Sequence, residues 1–179
     1  MDVSHPIRGI IPTLDAPVIE VLARTTRGLS GREVHRLAGA GSVRGVQLVL
    51  ARLVNQGLVH ADEHGSAILH TANRAHLAWP TLEALVGLRD DLLARIRETI
   101  AGWAVAPLHA SLFGSAARRD GGAASDIDLL IVRPDVVAEG DDAWEAQIDA
   151  LRDRMLVWTG NRCQSFESAY PVASGDHYL

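Results

Sequence analysis

Asp126 and Asp128 stand one residue apart in "SDIDLLIV" (125–132), inside a run that is otherwise aliphatic. In a strand alternate residues share a face, so both carboxylates point the same way, with Cα atoms about 7 Å apart. Ile127, Leu129 and Ile131 then point the opposite way, into a core. Two carboxylates so close repel one another and resist burial. A divalent cation removes that conflict. A pair of Mg2+ ions about 3.5–4 Å apart, bridged by such residues, would clamp a nucleoside triphosphate. Upstream, Gly114-Ser115 ends the stretch "LHASLFGS" and precedes a helical turn. Backbone N–H groups at such a turn attract phosphate, and the serine hydroxyl adds a contact. The ten residues between Ser115 and Asp126 suffice for a helical turn and a return loop.

These residues need elements to position them. The pattern predicts a strand over "LHASLFGS", a glycine-rich loop, and a strand over "DIDLLIV". A helix over about 141–158 follows, with Trp144, Ile148, Leu151, Met155 and Trp158 on one face. Gly160-Asn161 turns the chain into "RCQSFESA", a weaker strand with serines at Ser165 and Ser168. Before all this, Leu82, Leu85, Val86, Leu92, Leu93, Ile96, Ile100 and Trp103 recur at helical spacing, with Pro80 in a tolerated first-turn position. That predicts a long amphipathic helix.

The first part of the chain reads differently. "APVIEVLARTT" (16–26) has helical apolar spacing. Ser30 and Glu33 have the spacing of a capping box, which starts a helix near Gly31; Gly39 and Gly41 end it. Ser42 caps the next helix, which carries Val46, Val49, Leu50 and Leu53 in one stripe and stops at Gly57. "LVHADEHGSAILH" predicts two short strands around a His64-Gly65 turn. Three short helices and a hairpin make a winged helix-turn-helix. The expected organisation is thus α/β (α+β), in three parts. Residues 1–78 form a winged helix-turn-helix domain, 79–104 a linking helix, and 105–179 a small mixed-sheet domain.

Composition narrows the class. The chain has 179 residues, 47% of them hydrophobic and 4% aromatic, so its cores are mainly aliphatic. All 17 basic residues are arginine. The single Cys163 excludes an internal disulfide and fits a reducing, cytoplasmic setting. The start lacks a basic segment followed by a long apolar run, and no stretch approaches the length of a membrane span. Residues 1–76 carry about +2 and residues 77–179 about −7. The front part tolerates a polyanion; the rear part repels one unless cations intervene.

"GSAAR" followed by "SDIDLLIV" resembles the minimal nucleotidyltransferases of the DNA polymerase β-like superfamily. The resemblance covers about 105–170. It implies Mg2+-dependent transfer of a nucleoside monophosphate from ATP or another nucleoside triphosphate to an acceptor hydroxyl, with release of pyrophosphate. It assigns Asp126 and Asp128 to two metal ions, Gly114 and Ser115 to the β- and γ-phosphates, and Arg118 to the vicinity of the triphosphate. Arg119 stands where the family commonly has glycine. The family also needs a third acid on a neighbouring strand, to bind one metal and help deprotonate the acceptor; here the candidate is Glu167. If Phe166 packs on the helices, Glu167 turns to the other face and meets both aspartates. The resemblance allows as acceptor a protein, as in antitoxins that adenylylate a partner toxin, a small molecule or an RNA end. The alternatives are a DNA-binding regulator whose second domain senses nucleotide or is inactive, and an antitoxin acting by binding alone.

"GLSGREVHRLAG" through "LVNQGLVHADEHGSAILH" resembles the winged helix-turn-helix of bacterial transcriptional regulators, over about 14–78. That implies duplex DNA as a partner. The helix 42–56 would enter the major groove, with Arg44 and Gln47 reading bases. The modest positive charge gives a weak counterion-release drive, so tight binding calls for a homodimer. His60, His64 and His70 follow no structural-zinc spacing and are expected as hairpin histidines.

Overall fold

The computed structural model describes residues 1–118, 122 and 125–169. Among them it is a mixed α/β protein with seven helices and two three-stranded sheets. The chain divides into two compact units. One is His5–Arg89; the other is Asp90–Leu179 together with Met1–Ser4.

In the first unit, α1 (Pro6–Ile10) and α2 (Asp15–Ala23) precede a two-residue strand, β1 (Leu29–Ser30). Then come α3 (Gly31–Ala38), α4 (Val43–Asn55) and a hairpin of β2 (Val59–His64) and β3 (Ala67–Ala72). The capping box is present. Ser30 Oγ accepts from the Glu33 N–H at 3.4 Å, and a Glu33 oxygen accepts the Ser30 N–H at 2.9 Å. Gly39 closes α3 in the left-handed conformation (φ 61°), a backbone state that costs other residues energy. Ser42 Oγ accepts from the Gly45 N–H at 3.1 Å and opens α4. Each such N-cap is worth about 0.5–2 kcal/mol. Val34, Val46, Leu50 and Leu53 are buried with Val18, Leu22, Leu29, Val59 and Trp79.

Two elements of this unit escape a reading of periodicity. α1 is five residues long, too short for a helical stripe. β1 is defined only by its pairing with β3, Leu29 opposite His70 and Ser30 opposite Leu69.

Helix α5 spans Trp79–Ala101. The division between the two units falls inside it, at Arg89/Asp90. Trp79 and Val86 belong to the first core, Leu92 and Ile96 to the second.

The second unit contains β4 (His109–Phe113), α6 (Gly114–Arg118), β5 (Ile127–Arg133), α7 (Asp142–Thr159) and β6 (Cys163–Ala169). The sheet order is β4-β5-β6. β4 runs antiparallel to β5, and β6 runs parallel to it through the α7 crossover. Trp144, Ile148, Leu151 and Met155 form the buried stripe of α7 and share a core with Ile127, Leu129 and Ile131. One face of the sheet is thereby packed on helix. No single helix among the described residues is long and apolar enough to cross a membrane.

Candidate functional site

Strand β5 sorts its residues as alternation requires. Ile127, Leu129 and Ile131 are buried, while Asp126 and Asp128 are half-buried on the opposite face. Phe113, the last residue of β4, lies directly opposite Asp128. The chain then turns at Gly114, whose φ is +63°. A Cβ built there would lie 2.2 Å from Asp128 Oδ2 and 3.2 Å from its Cγ. Glycine is therefore required twice, by backbone conformation and by the carboxylate seated against it. Ser115 follows at the start of α6, and Arg118 ends that helix, exposed. Gly114, Ser115 and the two aspartates thus converge on one end of the sheet. Arg119 lies outside the described residues.

The third acid does not join them. β6 pairs with β5 so that Leu130 faces Phe166 and Ile131 faces Glu167. Directly paired residues share a sheet face. Phe166 therefore lies on the face of Asp128, where it meets Phe113 edge-on with centroids 4.9 Å apart. Glu167 lies on the face packed against α7, and its Oε2 accepts the Trp144 indole N–H at 2.8 Å. This corrects the expectation for Glu167 as catalytic and metal-binding acid. Two needs set the register: a buried indole N–H demands an acceptor, and the Phe113 ring offers Phe166 a partner away from the helices.

Gln164 holds the place expected for the acid. It is paired with Asp128, and its Nε2 donates to Asp126 Oδ2 at 2.7 Å. Nearby, the buried Asn161 donates to the Ser125 carbonyl at 2.8 Å, and the Ile127 N–H donates to the Arg162 carbonyl at 2.9 Å. These bonds hold the residues leading into Asp126. Neither Asn161 nor Gln164 carries a periodicity signal; their roles depend on strand register. Cys163, opposite Ile127, has its thiol pushed up to about 11, by burial first and then by Asp128 and Asp126, against the lowering effect of Arg152. It is a structural residue of the packed face rather than a ready thiolate.

Among the described residues, neither Asp126 nor Asp128 has an ion-pair partner, and no three His, Cys, Asp or Glu side chains gather as a ligand set. Two carboxylates on one face, without a cation among the described residues and with Asp128 seated against Gly114, fit one divalent cation. They do not form the three-carboxylate set expected for a pair.

In the first unit, Arg44 and Gln47 are both exposed near the start of α4. Arg44 has no ion-pair partner among the described residues, whereas Arg52 further along pairs with Asp15. A cleft of about 860 Å3 lies beside α4, lined by Ser30, Arg32, Gln47, Asn55, Ile68 and His70 among others. The strand β2 is exposed beyond Val59 and carries Asp62 and Glu63, which repel a phosphate backbone. His60 and His64 lie exposed on the same strand, and His70 Nδ1 lies 3.3 Å from the Leu29 carbonyl oxygen.

No family model matches the chain, and no curated protein matches it. Among solved structures, the chain is similar to human N-acetylserotonin methyltransferase, crystallised in complex with SAM. The identity is 17% and the TM-score 0.33, over 53% of this chain and 32% of that one. The likeness thus spans about a third of that enzyme, at a level that carries no argument about fold or activity.

Proposed function

We propose that the chain is a DNA-binding protein whose second unit is a nucleotidyltransferase-type domain. That domain takes up a nucleoside triphosphate with Mg2+ on Asp126 and Asp128. The observation that carries the reading is the seating of Asp128 against Gly114, with Asp126 on the same face and no ion-pair partner for either among the described residues. Bound Mg2+ would supply charge neutralisation and a grip on the phosphate oxygens. The chain's own residues do the rest. Asp126 and Asp128 hold the ion, and the backbone at Gly114-Ser115 meets the phosphates. Gln164 and Asn161 keep Asp126 and its approach in place. The reaction class is transfer of a nucleoside monophosphate to an acceptor hydroxyl, with pyrophosphate leaving.

Calorimetry of Mg2+–ATP binding tests the site. Asp128→Asn is expected to abolish metal-dependent nucleotide binding with little loss of folding, and equal affinity in the variant would overturn the reading. A second reading, a regulator that senses nucleotide without turning it over, is favoured by one observation: Glu167 faces α7 rather than the aspartates. Turnover of labelled ATP separates the two.

The first unit supports a winged helix-turn-helix reading. A helix, a short strand, two helices and a hairpin follow in order, with β1 added to the hairpin's edge. The chain bends by 113° between α3 and α4 over a four-residue connection containing Gly39 and Gly41. This angle and turn fit a helix-turn-helix. α4 then presents Arg44 and Gln47 to the major groove. Gel retardation of genomic fragments at low salt checks it; no retardation by the full chain would make this unit a protein-binding module.

A further inference from the structure

We propose that Gln164 restricts the Asp126–Asp128 site to a single divalent cation, so that this unit binds nucleoside triphosphate with one metal. The inference rests on the nucleotide-binding reading above and deepens it. On the sheet face of the two aspartates, Asp128 is flanked by Phe113 on one side and Gln164 on the other. Neither carries charge. The Gln164 amide also donates to Asp126 Oδ2 at 2.7 Å, occupying a lone pair that a further ion would need.

Charge balance points the same way. Two carboxylates offset one divalent ion. A second ion about 3.5–4 Å away meets four times the repulsion of two unit charges. It would need a third carboxylate, and among the described residues none stands on this face beside the pair. Phe113 and Phe166 fill the neighbouring surface with apolar rings. Glu167 is on the other face, engaged by the Trp144 indole. Among the described residues of β4 and β5, the next titratable side chain along the aspartate face is His109, opposite Val132 and about 13 Å along the strand from Asp128.

The test counts metal ions on the full-length chain with Mn2+ and α,β-methylene-ATP as probes. Equilibrium dialysis is expected to give one Mn2+ per chain, with the electron paramagnetic resonance pattern of an isolated ion. Gln164→Glu is expected to take two Mn2+ ions and to show the broadened spectrum of an exchange-coupled pair. Gln164→Ala, which removes the amide without adding charge, is expected to stay at one. Two ions on the wild-type chain, or one on a folded Gln164→Glu chain, overturns the proposal while leaving nucleotide binding intact. Failure of the wild-type chain to bind either probe overturns the nucleotide reading itself, and this inference with it.

Discussion

Glu20 in the first unit and the Asp126–Asp128 pair in the second are both carboxylate sites set against aliphatic cores, neutralised in opposite ways. Glu20 is only 5% exposed and is met from three sides. His5 Nδ1 lies 2.8 Å from one oxygen, Arg8 3.0 Å from the other, and Arg24 reaches it at 3.4 Å. This carboxylate ties α1 to α2 and has no capacity left for a ligand. Asp126 and Asp128 have no such cations among the described residues, only the neutral amide of Gln164. A carboxylate surrounded by internal cations is structural; two carboxylates without any among the described residues are open to a ligand cation, the role proposed for them. The difference lies in what is absent around the acid, not in the acid.

The comparison breaks most visibly at Glu20. Glu20→Gln leaves the arginines facing an uncharged amide. Breaking a buried pair costs about 3–5 kcal/mol. The partners here are 32–42% exposed, so screening places the loss toward the lower end. Chemical denaturation is expected to show it, with Mg2+–ATP binding retained; a neutral result would mean that the cluster is not what holds α1.

Arg44 is the mirror case, a cation without a carboxylate among the described residues. Arg44→Ala is expected to leave stability unchanged and to weaken a specific DNA site by about 1–3 kcal/mol if it contacts a guanine. Titration of the identified fragment with both proteins measures this. Unaltered affinity would remove Arg44 from the interface.

At the proposed binding site, Gly114→Ala places a Cβ where the Asp128 carboxylate sits. The left-handed backbone alone costs a non-glycine residue about 1–2 kcal/mol. The larger consequence is functional. Asp128 must move, and metal-dependent nucleotide binding should fall while the melting temperature drops only by that modest amount. Full binding in this variant would show that the close approach is dispensable.

Glu33 sharpens the comparison as an intermediate type, a surface carboxylate satisfied by local donors. Hydrogen bonds from the Ser30 backbone and hydroxyl, aided by Arg27, lower its pKa from 4.5 to about 2. A depressed folded pKa contributes stability above the unfolded value, and that contribution is lost as pH falls through the folded one. Thermal melts between pH 4.5 and about 2 should therefore fall less steeply in Glu33→Gln than in the wild type. Identical slopes would show that the capping box does not couple to acid stability.

Much of this molecule follows from sequence because it is local. The capping box at Ser30 and Glu33, the Ser42 cap, the turn at Gly65 and the α7 stripe each depend on residues a few positions apart. So does the shared face of Asp126 and Asp128, which alternation along one strand determines. Tertiary structure decided what depends on separate segments meeting. Strand β1 exists only because β3 lies beside it, and the unit boundary falls within a continuous helix because its two halves serve different cores. The strongest case is β6. Its sequence permits either face for Glu167, and burying the larger apolar Phe166 on the helices was a reasonable local rule. Pairing with β5 reversed it, since a one-residue change of register exchanges the faces of a whole strand. An indole N–H that needed an acceptor and a phenyl ring that needed a partner chose the register, and with it placed an amide, not an acid, beside the two aspartates.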